Sequence, residues 1–484
     1  MTKDNDKLPE DVILEIFSAY RQLCELQPDY ETLWNSKDGW MKLAHVCLHW
    51  RRVVLGSSTH LRLRLLFTPR RSSKAPMLKS LPSFPILVDY SATSWTEKEE
   101  NLALAAVRHR SRVRGITLRG PSCPASLLKA LSHPFPELES LRICPSYSSD
   151  REQRELVLPA TLLSGSAPRL RRLTLRGVEP TCISPLLSVA TGLVELDLTL
   201  NSGDNSRPVP SILPNLQRMP CLRRLELHLE HHPNIFHFLP DPPPSAKAGV
   251  VVPLPKLTHL TFTGHKSYLQ ALVAGLAAPS LQYFTATLLG QSNDGFPISR
   301  LCKFIRDTEC QFTAVEMVFS RTKLEFYAAT GSQSADDKHF RMTVPVPISL
   351  EQLALELAGP LATVKELIIA WDVEPWFTEP IVHADEWHGF FHHVPQVKSA
   401  QVSGEVALDI AHSFQQHGQE PAMNLLPTLQ QLEVRSLVGE GDHYATIRDA
   451  YEPLVAARER AGRLIKFSWS LWSYRNKEQW LVRY

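Results

Sequence analysis

Apolar positions follow two rhythms along this chain: a helical period near the amino end, and a short strand motif that recurs from residue 111 onward. In the first stretch Leu8-Pro9-Glu10-Asp11 leads into Val12, Ile13, Ile16, Phe17 and Tyr20. Spacings of three and four put these on one stripe of an amphipathic helix. Pro9 suits the entry to that helix, where a missing N–H costs little. After an interruption a second stripe runs through Trp40, Leu43, Ala44, Val46, Cys47 and Trp50 into Val53, Val54 and Leu55, with Arg51 and Arg52 on its polar side. Two such helices cannot make a large core of their own, so the stripes predict either a third helix or a partner that completes them.

The second rhythm is often Pro-x-Leu-x-x-Leu-x-Leu, with an aliphatic or aromatic residue allowed at each Leu. Its core positions are Val113, Ile116 and Leu118; Leu138, Leu141 and Ile143; Leu170, Leu173 and Leu175; Leu193, Leu196 and Leu198. They continue with Leu222, Leu225 and Leu227; Leu257, Leu260 and Phe262; Leu281, Phe284 and Ala286. Weaker copies centre on Val315, Leu367, Ala400 and Leu432. Helical-looking stretches lie between them at 267–276, 298–307 and 350–357. A short strand followed by a helix, repeated mostly about 23 to 35 residues apart, overlaps and exceeds the usual leucine-rich window. No single unit of this kind can bury its own apolar face, so stability must come from stacking. The Asn or Cys expected just after each strand is mostly missing, with Arg176-Gly177 and Thr263-Gly264 in its place. We therefore expect an uneven horseshoe with long loops, among them Pro240–Pro244 and residues 331–338.

The predicted fold class is α/β: a small all-α module at 1–62, a connecting segment at 63–110 that starts the array, an irregular leucine-rich-repeat-like solenoid at 111–470, and a tail at 471–484. In the connecting segment 60–67 and 86–90 read as strands and 96–109 as a helix; near the end, 451–458 reads as a helix and 464–469 as a strand. The composition, 43% hydrophobic and 21% charged over 484 residues, is that of a folded globular chain. Lys and Arg total 52 against 50 for Asp and Glu, so overall charge points to neither nucleic acid, a membrane surface nor an acidic ligand. Eight cysteines without a Cys-x-x-Cys pair fit a reducing compartment, cytoplasmic or nuclear. The polar N-terminus lacks the apolar core of a signal peptide, and no apolar run approaches the ~20 residues a bilayer crossing needs, so no membrane association is expected.

Leu-Pro before a helix with Ile-x-x-Ile-Phe, then Leu43-x-x-Val46-Cys47-x-x-Trp50-Arg51-x-Val53-Val54, resembles the F-box, over residues 7 to 62. The turn between the helices, 24–38 with Tyr30, Leu33 and Trp34, is longer than the family's. The resemblance implies docking on a Skp-type adaptor and through it a cullin. Carried over by position, the adaptor-binding residues are Leu8, Pro9, Val12, Ile13, Ile16, Phe17, Leu43, Val46, Cys47, Trp50 and Val53. The whole arrangement resembles F-box proteins with irregular leucine-rich repeats, a group abundant in mushroom-forming fungi. It implies the substrate-recognition subunit of a Skp–cullin–F-box ubiquitin ligase, a non-catalytic adaptor whose array binds a protein target.

Side chains alternate along each strand, so residues between the core Leu positions line one face of the array. From that face we take Arg172, Arg176, Asp197, Arg224, Glu226, His259 and Tyr283 as the target-binding candidates. Mixed charge with aromatic anchors suits a protein or peptide.

Little in the chain points to covalent chemistry. His388 and His392 stand one helical turn apart, a geometry zinc can use, and His228, His231, His232 and His237 cluster elsewhere. Neither group supplies a complete ligand set, so no metal site and no cofactor are expected. Phosphate-cradling loops and nucleophile elbows are absent as motifs. A basic zone from 51 to 119, with Arg70, Arg71, Arg108, Arg110, Arg112 and Arg114, reads as a solvated face. The alternative function is a repeat-based scaffold or nucleic-acid-binding protein with no ubiquitin role, distinguished by salt-sensitive binding to RNA or DNA.

Overall fold

The computed structural model describes residues 8–25, 39–68, 80–81, 83–91, 96–120, 124–145, 158–159, 161–178, 180–201, 208–230, 251–289, 299–308, 311–320, 322–331, 339–345, 349–371, 382–404, 406–415, 425–437 and 441–472. Residues 26–38 of the 24–38 insertion, the proline-rich 240–244 segment, residues 332–338 of the 331–338 loop, Arg70, Arg71, His231, His232, His237 and the end of the tail lie outside them. The chain divides into two compact units, Met1–Asn201 and Ser202–Tyr484.

The first unit opens with α1 (Glu10–Glu25), α2 (Trp40–Ala44) and α3 (Leu48–Gly56), all three in mutual contact. Ile13 and Phe17 of α1 are fully buried with Trp40, Leu43, Val53 and Val54, and Phe17 meets Trp50 edge-on at 5.1 Å. The second apolar stripe is thus not one helix but two. Arg51 Nε donates to the Ala44 carbonyl at 2.9 Å and closes α2, while Cys47 turns extended and its Sγ accepts the Trp50 N–H at 3.4 Å, opening α3. Side-chain caps at both ends of the break satisfy backbone groups that a continuous helix would have paired internally.

There follow β1 (Leu65–Phe67), β2 (Ile86–Ser91), α4 (Glu97–Val107), β3 (Val113–Gly120), α5 (Ala125–Ala130), β4 (Ser140–Pro145), a 3₁₀ turn at Leu162–Gly165, β5 (Arg172–Val178), α6 (Pro180–Val189) and β6 (Glu195–Asn201). The six strands pair in sequence order, every pair parallel. Register aligns Ile116, Leu141, Leu173 and Leu196 in one ladder and Leu118, Ile143, Leu175 and Leu198 in the next, all essentially inaccessible. Burial of one Leu side chain contributes about 1.5–3 kcal/mol, so each ladder is a stacking term that no isolated repeat could collect. Gly177, at φ 67°, forms the bulge where the β5–β6 register shifts between Arg176 and Val178. Trp40 ties helices to strands: its Nε1 donates to the Arg64 carbonyl at 3.2 Å and its ring lies against Phe84.

The second unit contains α7 (Pro208–Leu216), β7 (Arg224–Glu230), β8 (Val252–Pro253), β9 (His259–Gly264), α8 (Lys266–Ala274), β10 (Leu276–Ala277), β11 (Tyr283–Leu288), α9 (Ser299–Asp307), β12 (Ala314–Phe319), β13 (Lys323–Ala329) and β14 (His339–Pro345). It continues with α10 (Leu350–Glu356), α11 (Ala358–Leu361), β15 (Glu366–Trp371), α12 (Ala384–His392), β16 (Ser399–Ser403), α13 (Val406–Ser413), β17 (Gln431–Leu437), α14 (Gly441–Arg460) and β18 (Lys466–Trp472). Its main sheet runs β7-β9-β11-β14-β13-β12-β15-β16-β17-β18.

All pairings in that sheet are parallel except β14–β13 and β13–β12. The motif reading anticipated one strand between β11 and β15, where the structure has three. Leu324, Phe326 and Ala328 of β13 and Phe340, Met342 and Val344 of β14 alternate inward like the repeat strands, so the antiparallel hairpin continues the same core. Phe340 holds the junction, stacked on Phe284 at 4.9 Å and edge-on to Phe326 at 6.0 Å.

Candidate functional site

Two surfaces carry the candidate residues, and the first is the helical module. Along α1 the stripe splits by exposure: Ile13 and Phe17 are 0% exposed, whereas Val12 is 37% and Ile16 39% exposed. Pro9 is exposed beside them, and Leu8 is half-buried. The His49 ring bonds the Leu8 carbonyl at 3.2 Å, which brings the start of α3 to the same end of α1. There Val46 is 45% and Leu48 68% exposed, an apolar ledge that the module's own core leaves uncovered. Of the family-derived positions, Ile13, Phe17, Leu43 and Val53 form the core; Pro9, Val12, Ile16 and Val46 face outward; Leu8, Cys47 and Trp50 lie between. Leu48 belongs to the ledge and falls outside the family pattern. Its one available signal was a large apolar residue at the first position of a helix.

The second surface is the polar face of the strands. In the first unit it brings Thr117, Arg142, Thr174 and Asp197 into one row, and Ser140, Arg172 and Glu195 into another. Arg176 pairs with Asp197 at 3.6 Å. Cys144 lies on the same face, where burial pushes its thiol up while Arg176, Arg142 and Arg119 pull the other way. A thiol so held is not an activated nucleophile.

In the second unit, register aligns Arg224, His259, Tyr283 and His339. His259 stacks on Tyr283 at 4.3 Å and Tyr283 on His339 at 5.3 Å, and the Tyr327 hydroxyl shares a 2.5 Å hydrogen bond with His339 Nδ1. Arg224 meets Glu226 at 3.7 Å. Lys323 and Arg341 both bond Glu325, at 2.5 and 3.1 Å; burial pushes that carboxyl up, but their hydrogen bonds hold it below the usual range. Glu316, cross-strand from Tyr327, is raised by burial and by Glu325, with Arg341 opposing. His339, Arg341, Tyr327 and Glu325 escaped the sequence reading because the hairpin lacks the repeat motif; Glu316 lies in the weaker copy at Val315, between its core positions, but is not among the target-binding candidates. Their strands nevertheless show plain two-residue alternation, a signal that could have found them.

The basic zone is partly neutralised within the first unit. Arg112 donates to the carbonyls of Phe84 at 2.9 Å and Leu81 at 2.6 Å, and Arg114 bonds Glu139 and Glu137 at 2.5 and 3.3 Å. Arg64 reaches Glu139 at 3.0 Å. Beneath the aromatic ladder of the second unit, a cavity of ≈ 20 Å³ lined by Phe284, Phe304, Phe312 and Phe340 has room for about one water. No helix among the described residues is long and apolar enough to cross a membrane.

No family model matches the chain, and no curated protein matches it. Among solved structures, the leucine-rich-repeat-containing protein LegL7 from Legionella pneumophila is similar at 12% identity and a TM-score of 0.27, over 81% of this chain and 97% of that one. A chain of the yeast Rad7–Elc1 complex is similar at 10% identity and a TM-score of 0.27, over 88% of this chain and 89% of that one. By its own geometry, the chain is a mixed α/β protein whose parallel strands stack as repeats behind a three-helix segment.

Proposed function

We propose that this chain is the substrate-recognition subunit of a Skp–cullin–F-box ubiquitin ligase, with α1 to α3 docking the Skp-type adaptor and the strand faces holding a protein target. One observation carries the reading: of the nine large apolar residues most exposed among those described, Val12, Ile16, Leu23, Val46 and Leu48 all belong to the helical module. Large apolar residues exposed together on one small helical unit are expected where a partner completes the core. Pro9, Val12, Ile16, Val46 and Leu48 meet the adaptor, while Ile13, Phe17 and Val53 shape the module behind them.

The mechanism is proximity. A target held on the strand faces presents its lysines at raised effective concentration to transfer groups on other subunits, and this chain performs no covalent step. The mixed face, with Arg176–Asp197, Arg224–Glu226 and the His259–Tyr283–His339 stack, suits a folded or extended protein surface rather than a continuous polyanion.

Co-purification of the full chain with a Skp-type adaptor tests the proposal. Leu8→Asp combined with Ile16→Asp is expected to abolish the complex while the circular dichroism spectrum and melting temperature stay near wild type. A wild-type chain that never retains the adaptor, or a double variant that binds normally, would refute it.

A further inference from the structure

The histidine pair on α12 had no complete ligand set in the sequence, and the fold brings a carboxylate-bearing side chain close to it. His388 is half-buried and His392 exposed, and their Nε2 atoms approach to 3.2 Å. Two imidazole nitrogens bound to one tetrahedral zinc at ~2.05 Å stand about 3.3 Å apart, so the pair already has the spacing of a chelate. A neutral pair sharing one N–H would sit at a similar distance, and the two readings are separated by what surrounds them.

What surrounds them is a carboxylate from the neighbouring repeat. α10 packs against α12, and the Glu386 carboxylate accepts the Leu350 N–H at 2.8 Å, fastening the start of α10 to the first turn of α12. The next residue, Glu351, then crosses α12 at Gly389: a Cβ there would stand 2.9 Å from Glu351 Cγ and 3.2 Å from its carboxyl carbon. A side chain at 389 would push Glu351 away from this position. Glu351 therefore lies against the residue beside His388 and one turn before His392. Its carboxylate does not stand within ligand reach of both imidazoles as the side chain is placed, so this exposed side chain must turn to complete the set.

We propose that His388 and His392 of α12, with Glu351 of α10, bind a divalent transition-metal cation of the zinc class. Two imidazoles and a carboxylate form a borderline-hard donor set suited to zinc, and the exposed side of His392 leaves the remaining position to water. The ion bridges two adjacent repeats, so binding stabilises the second unit by mass action. This site is independent of adaptor docking, which lies in the other unit.

The test uses the full chain freed of metal with a chelator, titrated with zinc and, separately, with cobalt. One equivalent is expected to bind tightly, raise the melting temperature and, with cobalt, produce the strong visible absorption of a four-coordinate ion. His388→Ala with His392→Ala removes all three signals. Glu351→Ala keeps the stoichiometry but weakens affinity by more than the roughly tenfold that loss of a mere outer-shell partner costs. His383→Ala, at the exposed cap before α12, leaves binding unchanged. Because His392 is exposed, His392→Ala alone repeats the result without touching the core. The proposal is overturned if the double histidine variant binds zinc as the wild type does, or if Glu351→Ala has no effect. The Leu8→Asp, Ile16→Asp chain should bind zinc normally, so loss of adaptor docking and loss of the metal site are read separately.

Discussion

Single residues settle several local choices that hydrophobic period leaves open. Thr96 and Glu99 form a reciprocal cap at the start of α4: the Thr96 hydroxyl accepts the Glu99 N–H and the Glu99 carboxylate accepts the Thr96 N–H at 3.0 Å. Those bonds from Thr96 hold the Glu99 carboxyl below 4.5, so their contribution is present above that pH and is lost as pH falls through the lowered value. Thr96→Ala is expected to cost about 1 kcal/mol at neutral pH in urea unfolding, with the difference shrinking in acid. Arg458 of α14 is buried and donates to the carbonyls of Leu425 at 2.6 Å and Leu426 at 2.8 Å. Leu426 has φ 50°, a left-handed conformation that a branched side chain adopts only when its surroundings enforce it. Arg458→Met preserves the stem's packing but strands those carbonyls, and a loss of about 2–3 kcal/mol is expected from chemical denaturation.

At the scale of elements, the strand motif fails to mark where the β13–β14 hairpin enters, yet the hairpin obeys the same inward alternation as the repeats. Its insertion places Glu316 on a crowded face opposite Tyr327 and near Glu325. Burial raises the Glu316 carboxyl above 4.5, so the folded protein holds that proton more tightly than the unfolded chain does. The sign follows: stability associated with this group is full below 4.5 and falls as pH rises through the raised value. Glu316→Gln should therefore melt higher than wild type at neutral pH and converge with it near pH 4.5, as measured by thermal unfolding across that range. A variant less stable than wild type at neutral pH would mean that Arg341 already compensates the buried charge. The break between α2 and α3 is a second case in which an element differs from its periodic pattern. There a cysteine serves as the cap, a role for which its sequence position gives almost no warning.

For the molecule as a whole, the parallel ladders make stability a property of neighbours. Leu141, Leu173 and Leu196 gain little alone and much when registered together. The same logic gives the helical module its proposed role: it buries Phe17 and Ile13, while among the described residues Ile16, Val46 and Leu48 stay exposed. If the adaptor fills that gap, the Leu8→Asp, Ile16→Asp chain should elute free in size-exclusion chromatography where the wild type elutes as a complex. The proposed zinc site works at this scale too, since its donors come from two successive repeats.

The sequence alone determined the repeated strand–helix plan, the inward Leu positions and the amphipathic stripe of α1, because helical and strand periods are written in neighbouring residues. It also placed His259 and Tyr283 on one face, since alternation along a strand is local. Only the tertiary structure decided which half of the α1 stripe remains uncovered, that His339 joins the aromatic stack, and that Glu351 crosses at Gly389 beside the histidine pair. Those outcomes depend on register and close approach between segments far apart in the chain, and no local pattern encodes the distance between them.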